Sequence, residues 1–218
     1  MRRLCLVIVA AILPSAAQAQ QTDEQLWLAA NATTTVGKAK LTIETNGRFS
    51  NDAGGFAHSE IGGLVSVPVI KGVDVAIGYR HISDWKNGTA LPTENRTRQM
   101  VTVALGGGFS TRLRFEQRFY STGGAIGLRV RPLLRFTRPI AENGLAVFAT
   151  HESFYNFNTT NWGQRHGYER MRNAAGLSIP ILPETRIEAG YLNQYRFGRD
   201  GARDRMDHIG TLTLNYSF

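Results

Sequence analysis

The stretch Arg112-Leu113-Arg114-Phe115-Glu116-Gln117-Arg118-Phe119-Tyr120 decides the fold of this chain. Its charged residues occupy every second position, and leucine, phenylalanine and glutamine occupy the positions between them. Successive side chains of a β-strand point to opposite faces, so this strand has one charged and one mostly apolar face. In a soluble β-sandwich the apolar face would lie in the core. In a transmembrane β-barrel it would contact lipid, with the charged face lining the interior.

The N-terminal residues have the three parts of a secretory signal peptide. Arg2 and Arg3 precede an apolar run over residues 4–13, and Ala17-Gln18-Ala19 follows as a small-residue cleavage motif. The run is shorter than the ~20 apolar residues of a spanning helix, which disfavours a membrane anchor. We therefore expect cleavage near Ala19, which divides the chain into a signal peptide of residues 1–19 and an exported domain of residues 20–218.

The charge balance limits the class of partner. The chain has 25 Lys and Arg against 17 Asp and Glu, and removing Arg2 and Arg3 leaves 23 against 17, a net charge of +6. An exported basic chain is expected to meet outer-membrane lipid, lipopolysaccharide or small anions, and no nucleic acid. Cys5 is the only cysteine, so the exported domain has no disulfide.

The membrane setting also follows from hydropathy. The mean hydropathy of −0.22 is too low for a helical membrane protein. No apolar run after the signal peptide approaches the length of a spanning helix, so only a closed barrel could carry this chain through a membrane.

The C-terminal residues form a second amphipathic segment. Leu212, Leu214, Tyr216 and Phe218 share one face, and threonine, asparagine and serine occupy the other. A final amphipathic strand with an aromatic last residue resembles the assembly signal of bacterial outer-membrane barrels. The resemblance implies the bacterial outer membrane as location and the barrel-assembly machinery as partner, with Leu214, Tyr216 and Phe218 as the signal.

After the signal peptide, eleven strand-like segments, the C-terminal segment included, are joined alternately by short turns and longer polar loops. That alternation is typical of an all-β, antiparallel, transmembrane up-and-down barrel, here of 10–12 strands, and disfavours a soluble periplasmic β-domain. Single-chain bacterial barrels have even strand numbers. The count of eleven therefore predicts that residues 25–35 are not a full strand, or that one strand has been missed or split.

Several short motifs recur in an order that resembles a known family. They are Gly78-Tyr79-Arg80, Glu116-Gln117-Arg118, Arg129-x-Arg131, His151-Glu152-x-Phe154 and Gly190-Tyr191. Over the whole exported domain the chain resembles an uncharacterised family of proteobacterial outer-membrane barrels, a domain of unknown function. The resemblance implies the barrel and adds no activity.

The charged residues share one face of the strands, which predicts an arginine-rich barrel interior with twelve basic and six acidic side chains. Six arginines would then lack an acidic partner, and an unpaired buried charge is unfavourable. Either salt bridges fill a narrow structural interior, or water and anions enter a narrow, anion-tolerant pore. The predicted arginines are Arg48, Arg80, Arg98, Arg112, Arg114, Arg118, Arg129, Arg131, Arg135, Arg170, Arg172 and Arg186, and the acids are Glu44, Glu60, Asp74, Glu116, Glu152 and Glu188.

One candidate catalytic site lies on the apolar face of the strands. His151 and Ser153 share that face, and a hairpin centred near Trp162 places Asn173 opposite His151. A lipid-facing His, Ser and Asn resembles the arrangement of outer-membrane phospholipase A, in which histidine activates serine and asparagine orients histidine. The Asn-Gly segment that follows the serine in that enzyme is missing here. The simpler interpretation is a set of polar residues at the membrane interface.

The remaining residues predict no cofactor. His58, His81, His166 and His208 lack metal-ligand spacing, so no metal site is expected. The tryptophans are expected at the membrane interface. The sequence thus predicts a non-catalytic outer-membrane barrel, either structural or a narrow pore, with an outer-membrane lipid hydrolase as the alternative.

Overall fold

The computed structural model describes residues 21–218, so the expected signal peptide lies outside the described range. Eleven long strands and one short strand are the regular secondary structure of this part, and none of its residues is helical. Consequently it contains no helix long and apolar enough to cross a membrane. The strands are β1 (Gln21–Val36), β2 (Ala39–Ser50), β3 (Gly55–Ile70), β4 (Val73–Lys86), β5 (Thr89–Ala90), β6 (Glu94–Gly106), β7 (Phe109–Tyr120), β8 (Gly127–Pro139), β9 (Ala146–Asn156), β10 (Gly167–Leu182), β11 (Thr185–Arg196) and β12 (Arg205–Ser217).

The sheet closes into a barrel through its first and last strands. Neighbouring long strands pair antiparallel around the sheet, and β1 pairs with β12 in parallel from Gln21↔Arg205 to Thr33↔Ser217. In an up-and-down barrel with an odd number of strands, the first and last strands necessarily run in the same direction. The barrel therefore has eleven strands, and β5 only extends the hairpin end of β4.

The prediction of an even strand number was wrong. The alternative that residues 25–35 are not a full strand was also wrong. The strand expected over residues 25–35 spans all of Gln21–Val36 and pairs along its length with both β2 and β12. The all-β barrel of 10–12 strands is confirmed, with one parallel pair where an entirely antiparallel barrel was expected.

The two ends of the barrel differ in their connections, as the sequence predicted. Four of the five connections at one end are two-residue turns, and the fifth spans residues 140–145. Those at the opposite end have four to ten residues and cover residues 51–54, 87–93, 121–126, 157–166 and 197–204. We call these the turn end and the loop end.

Apolar side chains lie mostly on the outer face of the barrel, and charged and polar side chains lie mostly on the inner face. Among residues 21–218, 34 large apolar or aromatic side chains are exposed, whereas only seven hydrophobic residues are buried. The seven all lie on the inner face: Trp27, Ile82, Met100, Ala146, Phe148, Phe154 and Ile209. A soluble domain buries its apolar surface, so this barrel has its apolar face on the outside.

Glycines on the inner face make room for long arginine side chains. Gly78 lies opposite Arg98 in the register of β4 and β6. A Cβ atom at Gly78 would lie 3.1 Å from the Nη2 atom of Arg98 and 2.6 Å from the carbonyl oxygen of Gly63. Any larger residue at position 78 would therefore displace the Arg98 guanidinium or the neighbouring strand.

A register shift on β10 changes which residues point inward. Tyr168 pairs with Tyr155 and Arg170 with Phe154, so Glu169 is the extra residue of a β-bulge. Glu169 and Arg170 both have half-buried side chains bonded to interior partners. A bulge places two consecutive residues on one face, which strict alternation does not allow.

Candidate functional site

The predicted interior arginines all lie on the inner face of the barrel. Arg98, Arg114, Arg129 and Arg131 are buried at 1–7% exposure, and Glu116 and Glu152 are buried beside them at 1% and 6%. Of the other predicted acids, Glu60 is buried and Glu44 and Glu188 are half-buried, whereas Asp74 is exposed near the turn end.

Shared carboxylates contact more arginines than a one-to-one count suggests. Glu116 lies within 4.0 Å of Arg114, Arg129 and Arg131. Glu152 likewise contacts Arg112, Arg131 and, more loosely at 3.9 Å, Arg172. One carboxylate offers two oxygens and about four lone-pair sites, so it can accept from several guanidinium groups.

The prediction that six arginines lack an acidic partner was therefore wrong. Eleven of the twelve have a carboxylate oxygen within 4.0 Å. The twelfth, Arg186, donates to the Ser178 hydroxyl and to the carbonyl oxygens of Gly144 and Ser178.

The sequence reasoning missed several interior charges, among them Asp23 and Asp207, which are buried and pair with Arg205. Glu94 and Arg96 begin β6, where a loop was expected up to residue 95, and Glu94 binds both Arg96 and Arg118. Glu169 was missed as an inward-facing residue because the β-bulge breaks the alternation. It contacts Arg129 and Arg170.

Side chains fill the barrel at mid-height. Arg98, Glu116 and Phe154 are each 1% exposed, and Met100 and Arg131 are 7% exposed. Four guanidinium groups lie over the Phe154 ring, at 4.2–5.5 Å from its centroid: Arg129, Arg131, Arg170 and Arg172. The midsection is thus a packed layer of arginines, carboxylates and aromatic rings with almost no contact with solvent.

A cavity of about 850 Å³ lies above this layer at the loop end. We call it the vestibule. Arg80 and Arg131 form part of its lining, whereas Arg98, Arg112 and Arg114 lie deeper toward the turn end. Its other charged lining residues are mostly arginines: Arg48, Arg96, Arg118, Arg129, Arg165, Arg170, Arg172, Arg196, Arg199, Arg203 and Arg205.

Two tryptophans take part in this interior, contrary to the expectation that tryptophans lie at an interface. Trp27 is 7% exposed on the inner face, and the guanidinium carbons of Arg48 and Arg172 lie 4.0 and 4.7 Å from its ring centroid. Trp162 lines the vestibule, where it stacks on Tyr120. The third, Trp85, packs against Phe56 on the outer face.

The loop-end rim is tied by polar contacts. Imidazole nitrogens of His58 contact Asp84 at 2.5 Å and Glu60 at 2.8 Å. In the loop over residues 197–204, the carboxylate of Asp204 accepts hydrogen bonds from the Tyr195 hydroxyl and the Gly198 backbone N–H. These two bonds lower the pKa of Asp204.

The three residues of the candidate catalytic site lie together on the outer face. In the register of β9 and β10, His151 is opposite Asn173. The Nδ1 atom of His151 is 2.7 Å from Asn173 Oδ1, and Nε2 is 3.1 Å from the Ser153 hydroxyl oxygen. The Tyr168 hydroxyl lies 2.7 Å from the same oxygen. The four side chains are therefore within hydrogen-bonding reach of one another in the order tyrosine, serine, histidine, asparagine.

A second constellation of the same composition lies on the outer face of β4 and β6. His81 is opposite Asn95, with Nδ1 2.8 Å from Asn95 Oδ1. Its Nε2 atom is 3.4 Å from the Ser83 hydroxyl, a longer contact than that between His151 and Ser153. The Tyr79 hydroxyl donates to Asn95 Oδ1, whereas the Tyr168 hydroxyl contacts the serine of the first constellation.

The other predicted residues are placed as follows. Leu214, Tyr216 and Phe218 are exposed on the outer face at the turn end, where Phe218 stacks on Tyr216 at 5.4 Å between ring centroids. Within residues 21–218, no three histidine, cysteine or acidic side chains are grouped as metal ligands.

Comparison with known proteins gives one family and one curated relative. The family model described as a protein of unknown function, DUF2490, matches residues 24–206. An uncharacterized protein of Methylorubrum extorquens strain AM1 is 30% identical over 198 residues, which cover 88% of this chain and 86% of the relative. No solved structure matches the chain significantly.

Proposed function

The chain belongs to the DUF2490 family of proteins of unknown function, and we propose that it is a bacterial outer-membrane barrel with a structural, non-catalytic interior closed at mid-height. The observation that carries this proposal is the inside-out distribution of apolar residues. An outer face rich in exposed aliphatic and aromatic side chains suits lipid, and an inner face of arginines and carboxylates suits a barrel interior.

The packed layer favours the structural alternative over an open pore. Charged side chains that are 1–7% exposed leave no wide water path between the vestibule and the turn end. The layer carries more arginines than carboxylates, so a small ion that passed through it would be an anion. Lipid, lipopolysaccharide and the barrel-assembly machinery are the partners of such a barrel.

Cell fractionation tests the membrane assignment. The full chain, expressed in a Gram-negative host, should fractionate with the outer membrane and lose its first 19 residues. It should also migrate differently on a detergent gel before and after boiling, because a folded barrel resists unfolding by the detergent. Recovery in the periplasmic fraction, with one migration position in both samples, would contradict the proposal.

The geometry of His151, Ser153 and Asn173 favours one second candidate function, hydrolysis of a lipid ester at the outer face. Ser153 Oγ would attack the ester carbonyl carbon while His151 Nε2 takes the hydroxyl proton. The C–O bond then breaks, and His151 gives the proton to the departing alcohol. Water attacks the acyl-serine in the same way and releases a fatty acid.

Two further contacts fit these steps. Asn173 Oδ1 accepts from His151 Nδ1–H, which leaves Nε2 free to take the serine proton. The Tyr168 hydroxyl, 2.7 Å from Ser153 Oγ, is close enough to donate to the oxygen that develops negative charge on the substrate.

The second constellation supplies a matched control for this candidate. Purified protein in mixed micelles should release fatty acid from phospholipid, and Ser153→Ala should abolish the release. Ser83→Ala removes a serine of the same pattern at a longer distance from its histidine and should leave the rate unchanged. Absence of hydrolysis, or an unchanged rate in Ser153→Ala, removes the hydrolase candidate and leaves the barrel proposal intact.

A further inference from the structure

The floor of the vestibule holds two guanidinium groups with donors that no described residue accepts. Arg172 donates from Nε to Gln194 Oε1 at 2.8 Å, and its closest carboxylate oxygen, on Glu152, is 3.9 Å from Nη1. Arg48 donates from Nε to Asn46 and from Nη2 to Glu60, and its Nη1 atom makes no hydrogen bond within residues 21–218. Both side chains line the cavity.

The surrounding residues fix these guanidinium groups in place. Both lie over the ring of Trp27, at 4.0 Å for Arg48 and 4.7 Å for Arg172. Gln194 is fully buried, accepts from Arg172 and Arg170, and donates to Asp207. A planar guanidinium held against a ring and by one bonded nitrogen loses little further freedom when it binds a ligand.

The charge at this floor is not neutralised by the carboxylates beside it. Glu60 is shared by Arg48, Arg80 and His58, and Glu152 by Arg112, Arg131 and Arg172. Arg170 adds a third guanidinium to the same part of the lining, and its acidic partner Glu169 also serves Arg129. Converging guanidinium groups with spare donors favour an anion with several oxygens, and phosphate offers three or four.

The volume and the aromatic lining indicate what carries the phosphate. A cavity of about 850 Å³ exceeds the volume that an inorganic phosphate ion needs and is within the range of small-molecule sites. Phe197 lines its upper part and is 38% exposed, and an exposed aromatic ring there can cover the apolar face of a sugar. On these observations we propose that the vestibule binds a phosphorylated saccharide, with its phosphate on Arg48, Arg170 and Arg172.

This inference rests on the proposed closed barrel, because a ligand stays in the vestibule only where the packed layer ends the cavity below it. Two sources share this chemistry. One is a free sugar phosphate that enters from the loop end, and the other is the phosphorylated saccharide headgroup of lipopolysaccharide.

Calorimetric titration of the folded protein in detergent tests the inference, with glucose 6-phosphate, glucose and inorganic phosphate as probes. Glucose 6-phosphate should bind more tightly than inorganic phosphate, and glucose should not bind. Arg172→Gln and Arg48→Gln should each weaken the binding by about tenfold or more, since each removes charged donors from the phosphate. Arg135→Gln is the matched control, because Arg135 lies outside the vestibule and pairs with Glu188.

A second readout separates ligand contact from folding. In a Trp85→Phe, Trp162→Phe variant, Trp27 is the only remaining tryptophan of residues 21–218, and glucose 6-phosphate should change its fluorescence. Competition of lipopolysaccharide with glucose 6-phosphate would assign the lipid source, and absence of competition the soluble one. Two results would overturn this inference and leave the proposed barrel intact. One is an equal affinity in Arg172→Gln, Arg135→Gln and the unmodified protein. The other is no binding by protein that fractionates with the outer membrane as a heat-modifiable barrel.

Discussion

At the scale of single residues, alternation along a strand decides whether a side chain faces inward or outward. Phe115 and Phe119 share the outer face of β7, while Arg114, Glu116 and Arg118 lie on the inner face. The two phenylalanines differ in position along the strand, since Phe115 is near its middle and Phe119 is next to the loop end. In the proposed membrane, only Phe115 lies deep within the bilayer.

We predict that Phe115→Arg impairs membrane insertion far more than Phe119→Arg. A basic residue on the lipid face costs about 2–4 kcal/mol at the bilayer midplane and about 0–1 kcal/mol near the interface. The fraction of heat-modifiable protein after refolding into liposomes measures the difference, and Phe119→Arg is the control for the substitution itself. Equal yields of the two variants would mean that the outer face does not meet lipid.

The sequence was sufficient for the inward placement of Arg112, Arg114 and Arg131, because a regular strand alternates without exception. It was insufficient for Glu169, because a β-bulge inserts one residue without any mark in the composition. It was also insufficient for Trp27, whose residue type suggests an interface but whose position on β1 points inward. The proximity of His151, Ser153 and Asn173 was predictable from the hairpin, whereas the contact between Tyr168 and Ser153 depends on side-chain conformation.

At the scale of elements, the parallel pair of β1 and β12 is the feature that the sequence did not predict. Alternation identifies a strand and its two faces, but it carries no information about the direction of a partner that is distant in the chain. The pair is well defined in the structure. It spans 13 register partners, and Asn31 donates to Asn215 across it at 2.9 Å on the inner face.

We predict that a disulfide forms between Ala30→Cys and Leu214→Cys. These positions are register partners on the outer face of β1 and β12, and residues 21–218 contain no other cysteine. Paired strand positions lie within the distance of about 4.4–6.8 Å between Cα atoms that a disulfide requires. Mild oxidation should therefore produce a species with altered migration on a denaturing gel, reversed by reduction.

Gly210→Cys combined with Ala30→Cys is the control for this cross-link. Gly210 is the partner of Leu26, four residues away from Ala30 along β1, so its Cα atom is beyond disulfide range. Cross-linking of the control pair, with none between positions 30 and 214, would mean that β1 and β12 meet in another register or direction.

At the scale of the whole molecule, the barrel joins two ends of different character through a packed midsection. The loop end contains the vestibule with its excess of arginines, and the turn end has mostly two-residue connections. Between them, arginines and carboxylates are buried together, and each depends on the others because a buried charge without a partner is unfavourable. The interior thus acts as one network, which accounts for its low solvent exposure.

The most direct test of this closed, positively charged interior is the current through a planar bilayer that contains the purified protein. A closed interior should give no large steady conductance, and its excess of arginines should give a preference for anions in the reversal potential of any small current across a salt gradient. Replacing Arg112, Arg114 and Arg131 with alanine should open the midsection and raise the conductance, and Arg165→Ala, at the exposed rim, should not. A large conductance in the unmodified protein, or a preference for cations, would contradict the account.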